Sequence, residues 1–152
     1  MAQNFCESSS LIPIPQDKIE QAKEIVMRIS NSLEEEEGYT GYDADVTSVG
    51  ETGVWIRHDD AINSEHAHSL VQALVEELDL PDIVVCSWAY TCSKPGIDEF
   101  GGGAFAVQKG HSTIWIDAAS EALRQAEALK ASCGNPPTTL PNPPSEIYLQ
   151  EE

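Results

Sequence analysis

The chain has 152 residues, enough for one domain with a real core, and 26 acids against 8 bases give it a formal net charge of −18. That charge opposes binding to nucleic acid or an anionic membrane surface and favours basic partners. No apolar run reaches membrane-spanning length, Met1–Glu7 lacks the basic and apolar parts of a secretory leader, and Cys6, Cys86, Cys92 and Cys133 form no C-x-x-C pair, so a reduced cytoplasmic protein is expected.

Residues 1 to 15 show no periodicity. Ser8-Ser9-Ser10, Pro13 and Pro15 suggest a flexible arm pinned at its end by Leu11, Ile12 and Ile14. Beyond Gln16 and Asp17, Ile19, Ala22, Ile25, Val26, Ile29 and Leu33 recur at spacings of three and four, one face of an amphipathic helix. It runs into Glu34-Glu35-Glu36-Glu37, where carboxylates oppose the helix dipole and favour fraying, and Gly38 stops it. Tyr42 to Val49 and Gly53 to His58 read as two strands around a Gly50-Glu51-Thr52-Gly53 turn, with Asp43, Asp45 and Thr47 on a wet face. A second helix follows, capped by Asn63 or Ser64, with Ala67, Leu70, Val71, Leu74, Val75 and Leu78 on one stripe.

Pro81 ends that helix and opens the most strand-like stretch of the chain. Pro81 to Cys92 is apolar on nearly both faces, as an interior strand would be; Gly101 to Val107 and Ser112 to Ile116 form two more strands around Lys109-Gly110. Asp117 is a plausible cap for a last helix carrying Ala119, Ala122, Leu123, Ala126 and Leu129, which Cys133-Gly134 ends. The five prolines after Asn135 mark residues 135–152 as a disordered or polyproline-like tail. The element order is α-β-β-α-β-β-β-α. It predicts an α+β fold: a mainly antiparallel sheet of about five strands with helices on one face, in a single domain over residues 16–134.

Few residues suggest chemistry. Arg57-His58-Asp59-Asp60 and Glu65-His66-Ala67-His68 contain the right ligand types for zinc or manganese. Their spacing is wrong, since His66 and His68 diverge by about 200° on a helix. Gly101-Gly102-Gly103 lacks the Lys and Ser/Thr of a phosphate loop and leads into a strand, so a β-bulge or a close backbone approach explains it better. Cys86 and Cys92 share a strand face but lie roughly 20 Å apart, which excludes a disulfide between them. Cys92 with His111 is a conceivable nucleophile–base pair, and a pocket near Cys92, Asp98, Glu99 and His111 would make the chain a small enzyme or ligand-binding domain. Buried cysteine as a small hydrophobe is the plainer reading. No catalytic signature is present, and neither a metal nor a cofactor is expected.

The distribution of charge says more. Residues 31 to 82 hold fourteen acids against the single base Arg57, a net −13 of the total −18. Carboxylates at helical and cross-strand spacings of about 5–7 Å imitate a series of phosphates, so a one-sided acidic surface fits a basic groove built for nucleic acid. A solvated face that only keeps the chain soluble is the plainer alternative. The expected partner-facing set is Glu34, Glu35, Glu36, Glu37, Asp43, Asp45, Glu51, Asp59 and Asp60, with Tyr39, Tyr42 and Trp55 as aromatic anchors, extended by Asp98, Glu99 and Phe100.

Asp98-Glu99-Phe100-Gly101-Gly102-Gly103-Ala104-Phe105-Ala106-Val107, followed by Ile114-Trp115-Ile116, resembles small acidic proteins of unassigned function from phages and plasmids. The resemblance implies a mobile-element origin, where such proteins block host defence nucleases, and it transfers no catalytic residue. The expected function is therefore a non-enzymatic inhibitor that occupies a basic protein surface and binds neither nucleic acid nor membrane. A third possibility is an assembly subunit docking through its tail, with Ile147-Tyr148-Leu149 as anchor.

Overall fold

Alternating apolar residues need a paired neighbour on each side and a cover on one face, and a computed structural model of the chain shows how they obtain both. It describes residues 3–48, 50–94, 96 and 100–132. The elements are β1 (Asn4–Pro13), α1 (Ile19–Glu37), β2 (Asp43–Thr47), β3 (Gly53–His58), α2 (Ser64–Glu77), β4 (Val84–Cys92), β5 (Gly101–Val107), β6 (Ile114–Asp117) and α3 (Ala118–Ala131). The fold is α+β, with one antiparallel sheet of six strands in the order β2-β3-β1-β4-β5-β6. The chain divides into two compact units, Met1–Glu121 and Ala122–Glu152. The sheet, α1 and α2 belong to the first, and the expected domain start at residue 16 leaves out β1.

The extra strand is β1, and it corrects the expected arm. Residues 4–13 run through the middle of the sheet, with Ser8 to Pro13 paired to β3 and Asn4 to Glu7 paired to β4. Serine hydroxyls complete the join: Ser8 Oγ donates to the Ser87 carbonyl at 2.6 Å, and the Ser10 side chain hydrogen-bonds the Cys86 thiol. On the outer face Ser9 Oγ accepts from Trp55 Nε1 at 2.9 Å. The serine run expected in a flexible arm thus serves three neighbours.

One face of the sheet is covered by α1 and α2. Ile12, Val54, Ile56, Val84, Cys86, Phe105 and Val107 point inward and share one core with Ile19, Ala22 and Ile25 of α1 and Leu70, Val71, Leu74 and Val75 of α2. Burial pushes the Cys86 thiol up to about 11, so it is a packing group and a poor nucleophile. The opposite face carries exposed side chains, Leu11, Trp55 and Val85 among them. β4 is therefore interior in its pairing yet open on one face.

The glycines of β5 lie in regular register against β4, from Gly101 opposite Tyr90 to Gly103 opposite Trp88, without a bulge. A Cβ on Gly103 would meet the Trp88 ring at 2.6 Å and the Ile116 carbonyl oxygen at 2.5 Å. The bare glycine gives the indole room to lie on the strand. Trp88 joins Phe105, Trp115 and His68 in a ring cluster with centroids 5.0–6.3 Å apart.

His68 reaches this cluster from α2, and its Nε2 lies 2.6 Å from Thr113 Oγ1. Burial lowers its pKa from the ordinary 6.5. The unfolded chain then takes up a proton near pH 6.5 while the native ring resists until lower pH, so this contribution to stability is complete above 6.5 and is lost as pH falls through the folded value. His68→Gln should therefore lose less thermal stability than the parent as pH falls below about 6.5. Parallel pH–melting curves for the two proteins would contradict this.

Asp117 caps α3 as expected: its Oδ1 accepts from the Ser120 amide at 3.0 Å, and this bond holds the carboxyl below the ordinary carboxylate value. Cys133 and the proline-rich segment 135–152 lie outside the described residues.

Candidate functional site

Antiparallel pairing gathers several chain reversals at one end of the sheet. The end of α1, the 38–42 loop, the start of β2, the 59–63 connection and the start of α2 lie there, as does, several strands farther along the sheet, residue 100 before β5. Glu34 to Glu37, Asp43, Asp59, Asp60 and Glu65 are thereby brought to a common end by topology. The described residues include the ion pairs Lys23–Glu20, Arg28–Glu77, Arg57–Asp45 and Lys109–Asp79, and none of these reaches those eight carboxylates.

This end is held in place by a small polar clamp. Gly38 ends α1 in the left-handed region at φ 82°, where its amide closes on the Glu34 carbonyl at 3.0 Å. The chain then turns onto α2. The Asn63 amide donates to the Gly41 carbonyl at 2.8 Å, and Asn63 Oδ1 caps the Glu65 and His66 amides at 3.0 and 3.2 Å. Its Nδ2 donates to the Tyr39 hydroxyl at 2.9 Å. His66 Nδ1 accepts from the Gly41 amide at 3.1 Å, and the Tyr39 ring lies 5.0 Å from the imidazole. In neutral His66 the proton is thus on Nε2. Sequence reading found Asn63 as a cap but missed its second role, because the Tyr39 and Gly41 contacts come from the fold.

Two open depressions border the acidic end. One, of about 660 Å³, is lined by Ser30, Glu34, Tyr39, Thr40 and Asp43 among others. The other, of about 260 Å³, is lined by Ser9, Asp43, Trp55, Arg57, His58 and Asp59. Asp43 borders both, so the helix-end acids and the outer sheet face form one continuous surface. Exposed Tyr39, Trp55 and Phe100 stand at this end or on that face.

Two of the expected site residues, Tyr42 and Glu51, do not belong here, and a third, Asp45, is ion-paired. Tyr42 is only 4 % exposed and its hydroxyl lies 3.1 Å from Ser30 Oγ, so it is a core residue and no anchor. Asp45 lies opposite Trp55 and is paired with Arg57, whose guanidinium also sits 4.0 Å over the Trp55 ring, so unlike the eight carboxylates it has an ion-pair partner. Glu51 lies in the β2–β3 turn at the opposite end of the sheet. Asp98 and Glu99 lie outside the described residues.

The other chemical candidates separate. Cys92 ends β4 at the acidic end, whereas His111 follows Lys109-Gly110 at the far end of β5, roughly 20 Å away along the strand. They cannot act as a nucleophile–base pair. His58 Nδ1 accepts the Asp60 and Ala61 amides at 3.1 and 3.0 Å, while His66 and His68 face different neighbours. Among the described residues, no group of three His, Cys, Asp or Glu is placed to hold a metal ion, and no helix is long and apolar enough to cross a membrane. No protein-family model, curated protein or solved structure matches this chain.

Proposed function

We propose that the chain is a non-enzymatic binding protein whose acidic end occupies a basic groove built for nucleic acid, as an inhibitor of a nucleic-acid-handling host complex would. The observation that carries this reading is the gathering of eight carboxylates at one end of the sheet, with none of the ion pairs named above reaching them. Unpaired surface acids cost stability through mutual repulsion, and the Asn63–Tyr39–His66 clamp fixes the loop that carries them into place. Preorganised charge of this kind speeds encounter with a basic partner and gives it orientation. Tyr39 and Trp55 supply aromatic contact area beside the charge.

The test is capture from host lysate on the immobilised full chain. A partner should bind at about 50 mM salt, weaken at about 200 mM, and be displaced by added DNA or RNA. Glu35→Lys/Glu36→Lys/Asp43→Lys/Asp59→Lys should keep its circular dichroism spectrum and lose at least tenfold in affinity, about 1.4 kcal/mol. A partner held equally by the reversed surface, or indifferent to nucleic acid, would refute the proposal.

A further inference from the structure

Two histidines stand at the acidic end, and both serve it in the same way. His66, 7 % exposed in the first turn of α2, turns its Nδ1 to the 38–42 loop and accepts the Gly41 amide at 3.1 Å. His58, at the end of β3, accepts the Asp60 and Ala61 amides on its Nδ1 at 3.1 and 3.0 Å. A backbone amide is a donor, so each of these bonds exists only while Nδ1 carries no proton. The two rings thus hold the loops that bear Tyr39, Asp59 and Asp60, and the Asn63 amide ties one loop to the other through the Gly41 carbonyl. The packing is close. A Cβ on Gly41 would stand 2.2 Å from that of Asn63, which leaves the ring no room to move aside for a proton.

We propose that His58 and His66 form a proton-operated latch, which holds the loops of the acidic end at neutral pH and releases them as pH falls. A proton on His66 Nδ1 sets two N–H donors against each other at 3.1 Å in a buried place, so the ring and Gly41 must part. Whichever of them moves, Tyr39 loses the imidazole whose centre lies 5.0 Å from its own ring. A proton on His58 Nδ1 frees the Asp60 and Ala61 amides by the same conflict. Two backbone bonds to Cys6, from the Asp60 carbonyl and the Ile62 amide, keep this second opening local.

The titratable and charged groups about His66 are Tyr39 from the loop, Glu65 from α2 and Glu34 to Glu37 from the end of α1. Those about His58 are Glu7 and Cys6 of β1, Asp43 of β2, Arg57, Asp59 and Asp60. Arg57 is already paired with Asp45, and most of the others are carboxylates. An imidazolium that swings out of the latch therefore meets opposite charge. Every contact of the latch lies within the Met1–Glu121 unit. Its use rests on the reading of this end as a partner surface: acidification would undo the fixed arrangement of the carboxylates and weaken a complex with a basic groove.

The test uses the free full chain, so its outcome is separate from that of partner capture. Amide exchange is followed residue by residue by NMR at about pH 8 and about pH 5, the range that imidazole titration spans, and corrected for intrinsic rates. Gly41, Asp60 and Ala61 should lose at least tenfold in protection at the lower pH, while Ile56 within the sheet keeps its own. His66→Asn sets an amide oxygen near the place of Nδ1, an acceptor that does not titrate. It should keep Gly41 protected at both pH values and leave Asp60 and Ala61 responsive; His58→Asn should do the reverse. Imidazole nitrogen shifts of the parent read the proton itself, whatever the variants do. Rings that gain a proton while the loop amides stay protected, rings that stay neutral throughout, or a His66→Asn chain whose Gly41 responds like the parent's would each overturn the proposal.

Discussion

Ile12→Asp is expected to abolish the cooperative unfolding transition, whereas Leu11→Asp, one residue earlier, should cost about 1 kcal/mol or less. Ile12 is 0 % exposed on the inner face of β1, opposite Val54 and within the core. Removing its side chain costs about 2–5 kcal/mol, and an unpaired carboxylate in its place adds several more. Domains of this size hold only about 5–15 kcal/mol in total, so the sum exceeds what the fold can lose. Leu11 points to the outer face, where a carboxylate stays hydrated. Urea unfolding followed by circular dichroism reads both variants. Equal tolerance at the two positions would return residues 4–13 to the status of a loose arm.

Gly103→Val is expected to lower stability by about 3 kcal/mol, at the upper end of overpacking costs, and Gly103→Ala by about 1–2 kcal/mol. Alanine at a strand glycine ordinarily gains about 0.4–1 kcal/mol by restricting the unfolded chain. Here that gain is outweighed, because the new Cβ would stand 2.6 Å from the Trp88 ring and 2.5 Å from a backbone carbonyl that pairing holds still. The indole must move, so its fluorescence should change together with the unfolding midpoint. A stabilised Gly103→Ala protein with unaltered emission would show that the ring does not rest on the glycine.

Periodicity carries most of the fold. The apolar stripes of α1 and α2 and the alternation of the β2–β3 hairpin show their elements by spacing, and β-branched and aromatic density marks β4, β5 and β6. β1 escaped because its inward positions before Ile12 are Cys6, Ser8 and Ser10, which are too small and too polar to reveal alternation. The hydroxyls of Ser8 and Ser10 find partners only once β4 lies beside them. The acidic bias was plain in the composition, but its concentration at one end follows from which strands pair. Tyr42 shows the opposite error. Its alternation with Asp43 and Asp45 already placed it on the dry face, and treating it as an anchor set aside a pattern the sequence contained. Asp45 needed the third dimension, because its ion-pair partner Arg57 is set by hairpin register.

The place of β1 in the sheet also sets an order of events during synthesis. The β2–β3 hairpin and the β4–β5–β6 meander are local, whereas β1 joins them through distant pairs such as Ser10 with Ile56 and Glu7 with Ala89. It is made before both of its partners. At about 5–20 residues per second, the roughly 80 residues from Pro13 to Cys92 take about 4–16 s to follow. Until β3 is made the whole segment stands unpaired among other growing chains, and Asn4–Glu7 stays so until β4 follows; an apolar strand of its length would invite aggregation there. Three consecutive serines make it a poor template for such pairing, and the same hydroxyls later fasten it to β4 and Trp55.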